Sequence, residues 1–436
     1  MDFKEKKVLI FGLGLNQGGV GSAKFFAKNG SHVRVTDLKS KELLQPSLDL
    51  LRDFPDIEYV FGEHRNEDID WADLIIKNPS VKPGNEFIEY SKKIGKRVEM
   101  DMGIFLEYVK PSQIIGVTGT KGKSTTASLI YQALSSSNLP VILAGNIGIS
   151  VLDTIDQVTP ETIVILELSS FNLESFDRHQ VSPKWAVITN ITPDHLNYYQ
   201  TMDEYIRAKN VIGKYQSQND FIFLRRNDPV TSKKQFTENF KGKIDYFSLD
   251  DLPQDFEPNI KGEHNLLNIA AALKVSDVFG IGKTFALKIL SNFSGVPFRQ
   301  QLIKTWRGVK IINDTTSTGP DAGIKALMSY PDCILIAGGM NKNMPYDEYA
   351  KIFDEKVKKA FFLEGDSTEL IKGLTKRSDK IMGTYNNLEQ LLTDVKRIVQ
   401  SGDVVLFSPA ATSFNLFQNE FDRGRKFNKL VEQMFK

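Results

Sequence analysis

Short apolar runs alternate with helical patterns along the whole chain. Lys7-Val-Leu-Ile-Phe11 leads into Gly12-Leu-Gly-Leu15, which predicts a buried strand, a glycine turn and a helix from about Gly21 to Lys28. A second strand is expected at His32-Val-Arg-Val-Thr36, ending at Asp37. A further one, Ala72-Asp-Leu-Ile-Ile-Lys77, opens onto the loop Asn78-Pro-Ser-Val-Lys-Pro-Gly84. Ile114-Ile115 precedes the glycine-rich stretch Gly116 to Thr126, and Leu129, Ile130 and Leu134 then repeat at helical spacing. Thr162-Ile-Val-Ile-Leu-Glu167 reads as a fully buried strand ending in a carboxylate. Trp185-Ala-Val-Ile-Thr189 is the next strand and opens onto Asn190-Ile-Thr-Pro-Asp-His195. Thr201-Met-Asp-Glu204 has the form of a capping box and starts a helix that carries Lys209. Gly262-Glu-His-Asn-Leu-Leu-Asn268 precedes an alanine-rich helix, Ile269 to Val275, and the spacing puts Asn265 and Asn268 on one helical face.

The last third repeats the alternation. Val309-Lys-Ile-Ile-Asn-Asp314 is a strand ending in a carboxylate, Ile334-Leu-Ile-Ala-Gly-Gly339 ends in a glycine loop carrying Lys342, and Val404-Val-Leu-Phe-Ser408 is followed by Pro409-Ala-Ala-Thr-Ser-Phe414. Strand–loop–helix repetition predicts an α/β protein built on parallel sheets, whose ligands gather where the strands end. Three domains are expected: a Rossmann-like one over 1–109, a central P-loop mononucleotide-binding one over 110–297, and a second Rossmann-like one over 298–436.

At 436 residues the chain is too long for one core. Its make-up, 41% hydrophobic and 25% charged with net charge +1, gives no electrostatic case for nucleic acid or a membrane surface. No apolar run is long enough to span a bilayer. The opening Met1-Asp-Phe-Lys-Glu-Lys-Lys7 leads straight into a strand without a secretory pattern. The lone Cys333 lies in an apolar run and is expected in a core. A cytoplasmic monomer is the expectation.

The strongest chemical signal is Gly116-Val-Thr-Gly-Thr-Lys-Gly-Lys-Ser-Thr-Thr126. A strand, a glycine loop and a helix N-terminus make a phosphate cradle of backbone N–H groups. Lys123 would reach the outer phosphates, and Ser124 and Thr125 offer hydroxyls to phosphate and Mg²⁺. Only two residues separate Gly119 from Gly122, whereas the common P-loop has four between its glycines. Glu167 ends a strand of the same sheet and is the first Mg²⁺ candidate. His195, after the next strand end, is a candidate for metal or phosphate. In the first segment Gln17 occupies the third position of the dinucleotide fingerprint, which argues for another nucleotide. Asp37 is placed to accept from a hydroxyl or base and Lys39 to meet a phosphate; the alternative is a solvated turn.

The short loop Gly119-Thr-Lys-Gly-Lys-Ser-Thr125, Glu167-Leu-Ser-Ser-Phe-Asn172, Asn190-Ile-Thr-Pro-Asp-His195, Glu263-His-Asn265 with Asn268, and Asn313-Asp314 occur in an order that resembles the Mur ligase superfamily. Gly12-Leu-Gly-Leu15, Leu166 to Phe171 and Ser408 to Phe414 look most like its D-glutamate-adding branch. The resemblance implies three α/β domains, for the UDP substrate, for ATP and for the incoming amino acid. It implies an ATP-dependent ligase that joins D-glutamate to UDP-N-acetylmuramoyl-L-alanine through an acyl phosphate. It further implies two Mg²⁺ ions, one held by Ser124 or Thr125 with Glu167, the second by His195 with Lys209. Lys209, within Tyr205-Ile-Arg-Ala-Lys209, is the lysine that the family carbamylates. Leu15, Asn16, Asp37, Lys39, Asn146 in Gly145-Asn-Ile-Gly148, and Ser169 match the UDP-substrate side. Gly119, Thr120, Lys121, Gly122, Lys123, Ser124, Thr125, Asn268, Arg299 and Asp314 match the ATP side. Thr318, Lys342, Ser413 and Phe414 match the amino-acid pocket.

This chain departs from that pattern at several places. The loop Leu15 to Gly21 is longer. Asp314-Thr-Thr-Ser-Thr318 stands where Asp-Ser-Lys-Ala-Thr is common, so Thr316 replaces a lysine. Phe298-Arg-Gln-Gln301 replaces a His-Arg-x-Glu pattern, and Asn172 replaces glutamine. Two other readings compete: another amino-acid-adding ligase of the superfamily, and a non-catalytic nucleotide binder on the same fold.

Overall fold

The computed structural model describes residues 2–15, 18–82, 84–147, 149–194, 198–341, 344–413, 416–417 and 419–436. They build three α/β sheets. The first contains β1 (Lys7–Phe11), β2 (His32–Asp37), β3 (Glu58–Phe61), β4 (Leu74–Lys77) and β5 (Arg97–Glu99), all parallel, in the order β3-β2-β1-β4-β5. The order reverses between β1 and β4, which opens a crevice at their C-terminal ends. The helix after β1 runs from Gly18 to Lys28, one turn earlier than the periodicity predicts. Glycines at 18, 19 and 21 hide the start of an apolar stripe that becomes visible only at Val20 and Ala23.

The second sheet contains β6 (Ile114–Thr118), β7 (Val141–Gly145), β8 (Ile163–Glu167), β9 (Trp185–Ile188), β10 (Phe221–Arg225) and β11 (Lys243–Phe247). It is wholly parallel, in the order β11-β10-β9-β6-β8-β7. β6 is buried along its whole length, between β8 and β9. Register pairs Val117 with Glu167 and Thr118 with Ile188, so the loops after β6, β8 and β9 leave the sheet side by side.

The third sheet contains β12 (Gln301–Trp306), β13 (Val309–Asn313), β14 (Cys333–Ala337), β15 (Val357–Leu363), β16 (Ile381–Tyr385) and β17 (Val404–Phe407), in the order β12-β13-β17-β14-β15-β16. β12 is antiparallel to β13 and the rest are parallel, so the sheet is mixed. The expectation of a plain Rossmann-like repeat omits this edge strand. None of its residues is fully buried and Thr305 is exposed, so it lacks a buried-strand pattern. Its turn carries the signal instead: Arg307 and Gly308 have φ of +49° and +81°, the left-handed pair that closes a two-residue hairpin.

Apolar runs in these strands are nearly continuous because both faces are covered. In the third sheet, Leu335, Ala337 and Leu406 pack into one core and Ile334, Ile336, Val405 and Phe407 into another. Cys333 is buried in the first of these. The chain divides into two compact units: Met1–Gln254 with Leu267–Leu290, holding the first two sheets, and Asp255–Leu266 with Ser291–Lys436, holding the third. Among the described residues no helix is long and apolar enough to cross a membrane.

A β-carbon on Gly116 would lie 2.6 Å from Pro183 Cγ and 3.0 Å from Leu168 Cδ1. Gly116→Val is therefore expected to destabilise the first unit by roughly 2–3 kcal/mol through overpacking. Denaturant unfolding checks this; an unchanged midpoint would mean the central strand shifts freely.

Candidate active site

The loop between β6 and the Lys123–Ser135 helix is packed so closely against Thr189, Asn190 and Asn268 that two of its positions admit only glycine. Gly119 has φ +143°, and a β-carbon there would lie 1.9 Å from Thr189 Oγ1 and 3.1 Å from Asn190 O. Gly122 caps the helix in the left-handed region, at φ +86°, with Asn268 Oδ1 2.4 Å from where its β-carbon would be. The post-β9 loop locks the turn from outside. Thr120 N donates to Asn190 O (2.8 Å), Lys121 N to Asn190 Oδ1 (3.0 Å), and Thr189 Oγ1 to Lys121 O (2.6 Å). Asn268 is buried and accepts from Thr126 Oγ1 at 3.2 Å, which ties the Glu263–Val278 helix to this loop. That helix starts earlier than the sequence pattern suggests, so both Asn265 and Asn268 lie within it. Lys123 Nζ curls back onto Gly119 O (3.1 Å) and Thr120 O (3.0 Å), while Ser124 is buried and Thr125 half-buried.

Lys209 converges on the same loop. It lies on the Met202–Lys214 helix, is 1% exposed, and donates to Gly119 O at 2.9 Å and Thr118 Oγ1 at 3.4 Å. Burial, and then repulsion from Lys123, hold its amine well below the usual lysine range, against a smaller pull from Asp194. The helix begins at Thr201, whose hydroxyl accepts from Glu204 N, but Glu204 Oε2 accepts from Gln200 N. The capping box of the sequence is thus half-formed, displaced by one residue on the return bond.

Glu167 ends β8 at 1% exposure. Asn146 Nδ2 donates to its Oε1 at 3.1 Å, and Oε2 is buried with no hydrogen-bond partner among the described residues. An unpaired carboxylate oxygen is costly in a dry site and suits a cation. Asn146, expected on the substrate side, thus also orients Glu167. Ser169 is engaged by Asn172, whose Oδ1 accepts from Ser169 N (3.0 Å) and Oγ (2.7 Å).

In the first sheet Asp37 accepts from Gly14 N and Lys39 N, both at 2.9 Å, and Lys39 Nζ stands 3.8 Å away, half-exposed. Leu15 is half-buried beside this turn. The β1–β4 crevice is lined by Gly12, Gly18, Gly19, Lys77, Asn78 and Asp101. Sequence reading missed Lys77 and Asp101. Lys77 is buried and pairs with Glu174 at 2.9 Å, and burial pushes the Asp101 carboxyl up to about 6. A lysine at a strand end was the available signal for the first; the second carries none.

In the second unit Asp314 follows β13 and is buried. It accepts from Ser408 Oγ (2.7 Å) and Gln300 N (3.1 Å). Arg299 is exposed on the adjoining turn, and Thr318 is half-buried. Ser413 Oγ is buried without a partner among the described residues. Arg423, fully buried, donates to Thr315 O (2.6 Å) and Ala411 O (3.1 Å), joining the loops after β13 and β17. Burial pulls its guanidinium down to about 9. The spacing of Arg423, Phe427 and Val431 puts this arginine on the buried face of its helix, but a charge at such a position reads as solvated. Asn16, His195, Lys342 and Phe414 lie outside the described residues.

The family description "Mur ligase middle domain" matches residues 117–255, and "Mur ligase MurD-like, N-terminal domain" matches residues 6–99. Curated relatives named UDP-N-acetylmuramoylalanine--D-glutamate ligase are similar over nearly the full chain. The Roseiflexus sp. (strain RS-1) protein is 35% identical and the Borreliella afzelii (strain PKo) protein 37% identical, each over 99% of both chains. The Clostridioides difficile (strain 630) protein is 34% identical over 100% of both. Among solved structures, a UDP-N-acetylmuramate-alanine ligase from Thermotoga maritima aligns with TM-score 0.61 and 18% identity over 98% of this chain and 100% of that one. A MurF ligase from Thermotoga maritima in complex with ADP aligns with TM-score 0.57 and 18% identity, over 99% and 96%. These structural likenesses establish a shared fold.

Burial, opposed by the bonds from Ser408 and Gln300, holds the Asp314 carboxyl up at about 7. Unfolded aspartate titrates near 4. The protonated form is therefore favoured by folding, and that stabilisation is full below about 4 and lost as pH rises through about 7. Asp314→Asn stays neutral, so the wild type is expected to lose roughly 2–3 kcal/mol relative to it between pH 5 and 8. Denaturant unfolding of both proteins at the two pH values checks this; parallel pH curves would mean that Asp314 is already ionised at pH 5.

Proposed function

Because the chain belongs to the Mur ligase family, among relatives named UDP-N-acetylmuramoylalanine--D-glutamate ligase, we propose that it is an ATP-dependent ligase. The reading is that it joins D-glutamate to UDP-N-acetylmuramoyl-L-alanine, in the cytoplasm, for peptidoglycan synthesis. The observation that carries the chemistry is the convergence of three groups on Thr118. The phosphate loop leaves β6 after it, Lys209 Nζ reaches its hydroxyl, and that hydroxyl donates to the carbonyl next to Glu167, Leu168 O, at 2.7 Å.

The reaction needs a carboxylate made electrophilic. Phosphoryl transfer from ATP to the substrate's terminal carboxylate supplies a leaving group, the amine of glutamate attacks the acyl carbon, and the tetrahedral intermediate loses phosphate to leave an amide. Two anions must be brought together. The Thr120 and Lys121 N–H groups are taken by Asn190, so the N–H groups at the start of the Lys123–Ser135 helix, with Lys123 and Arg299, act as counter-charges. Asn268 and Asp314 serve the nucleotide, Asp314 through the ribose hydroxyls. Leu15, Asn16, Asp37, Lys39, Asn146 and Ser169 serve the UDP substrate, to which the crevice adds Lys77. Thr318, Lys342, Ser413 and Phe414 form the amino-acid pocket.

The buried unpaired oxygen of Glu167 fits a divalent cation, with Ser124 or Thr125 beside it; Mg²⁺ there would spread the charge of the transferring phosphoryl group. His195 and Lys209 would hold a second ion. A depressed lysine pKa supports carbamylation. The neutral amine attacks CO₂, an N–C bond forms, one proton leaves the nitrogen, and a metal-binding carboxylate results. Two of the proposed domains, 1–109 and 110–297, divide the first two sheets, and the third, 298–436, carries the last.

Purified protein with ATP, Mg²⁺ and UDP-N-acetylmuramoyl-L-alanine is expected to release phosphate with D-glutamate and not with L-glutamate, meso-diaminopimelate or L-lysine. Release with L-glutamate instead would reassign the acceptor, and silence with all four would favour a non-catalytic nucleotide binder. Lys209→Ala is expected to lower ligation by about 10³-fold or more, with partial recovery in short carboxylates. Wild-type turnover by that variant would remove Lys209 from the site.

A further inference from the structure

Thr316 stands where the family resemblance leads one to expect a lysine, and its hydroxyl is committed inside its own unit. We propose that Thr316 is a positioning residue for Arg299. It locks the turn that carries Arg299, so that the guanidinium is presented to the nucleotide phosphates. This rests on the reading of Arg299 as a nucleotide-side group.

The turn has unfavourable backbone geometry. Phe298 and Gln300, on either side of Arg299, have φ of +66° and +46°. Side chains with a β-carbon rarely adopt that region, so the surroundings must impose it. Both ends of the turn are held from the loop after β13. Phe298 O accepts twice from Thr316, from its N–H at 3.1 Å and its hydroxyl at 2.8 Å. Gln300 N donates to Asp314 Oδ1 at 3.1 Å. Within the turn, Arg299 N donates to Val296 O at 2.9 Å and Phe298 N to Gln301 Oε1 at 3.2 Å.

The Phe298 ring closes the third side. It fills the space a side chain at position 424 would need, with Cδ1 2.3 Å from that β-carbon site, and its centroid lies 6.2 Å from that of Phe421. A lysine at 316 would keep the backbone bond but has no β-hydroxyl to make the second one. The exchange to threonine therefore gives up a mobile cation and gains a fixed turn. The Phe298 and Thr316 departures act together: the ring anchors the residue and the hydroxyl anchors its carbonyl.

Thr316→Val removes the hydroxyl with little change of shape, and Thr316→Ser keeps it. The probe is a non-hydrolysable ATP analogue with Mg²⁺, measured by equilibrium binding, alongside steady-state kinetics. Thr316→Val is expected to weaken analogue binding and raise KM for ATP roughly three- to tenfold. Its kcat and its KM for glutamate should stay within about twofold. Thr316→Ser should restore wild-type values, and in an Arg299→Ala background Thr316→Val should add nothing. Thr316→Ala, which also lacks the hydroxyl, carries the same expectation if the valine variant fails to fold. A wild type that binds the analogue, weakened by Arg299→Ala but not by Thr316→Val, would overturn the inference alone. So would a rise in KM for glutamate with ATP unaffected. A wild type that binds no analogue would overturn the nucleotide reading of Arg299 together with it.

Discussion

Lys209 reaches the phosphate loop through fully buried surroundings, and its amine ends 2.9 Å from Gly119 O. A charge there has almost no solvent and faces a second lysine, Lys123, so the protein holds the amine toward its neutral form. The loop has the complementary constraint. Gly119 must approach Thr189 and Asn190 too closely for any side chain, which fixes its carbonyl toward Lys209 and its neighbours' N–H groups elsewhere. Remove either feature and the loop, the buried amine and Glu167 lose their common reference at Thr118. The rest of the nucleotide end is arranged around that contact.

The second unit solves a related problem with different parts. The loops after β13, β14 and β17 leave the sheet along one rim, and loops need internal partners if they are to hold a shape. Arg423 supplies two of them from within, by donating to Thr315 O and Ala411 O. Asp314 supplies two more, at Ser408 and Gln300. Both groups are charged in water and both are pulled toward neutrality by burial, the acid upward and the base downward. Arg423 Nε is buried without a partner among the described residues, so the anchoring runs through the two terminal nitrogens of the guanidinium.

Much of the scaffold was legible because its strands are covered on both faces. Runs such as Ile334-Leu-Ile-Ala337 and Thr162-Ile-Val-Ile-Leu166 leave little doubt about a parallel sheet, and a carboxylate at the end of one marks the ligand edge. The glycine spacing around Lys123 was equally plain. β12 was not, since its residues are only partly buried and its identity rests on a left-handed turn at Arg307-Gly308. Lys209 was readable only through family resemblance: by pattern alone a lysine on an amphipathic helix belongs to solvent. Arg423 and Lys77 were missed although each continues a buried pattern, Arg423 on the face of Phe427 and Val431 and Lys77 at the end of β4, because a charged residue is expected in solvent unless tertiary packing supplies partners.

In the proposed reaction the phosphate loop, Lys123 and Glu167 serve phosphoryl transfer onto the substrate's carboxylate. Oxygen-18 placed in the terminal carboxylate of UDP-N-acetylmuramoyl-L-alanine follows that transfer. The phosphate released on ligation with D-glutamate should carry one labelled oxygen, because the acyl C–O bond breaks when the amine displaces phosphate. Unlabelled phosphate accompanying amide formation would contradict the acyl-phosphate route and the roles assigned to those residues.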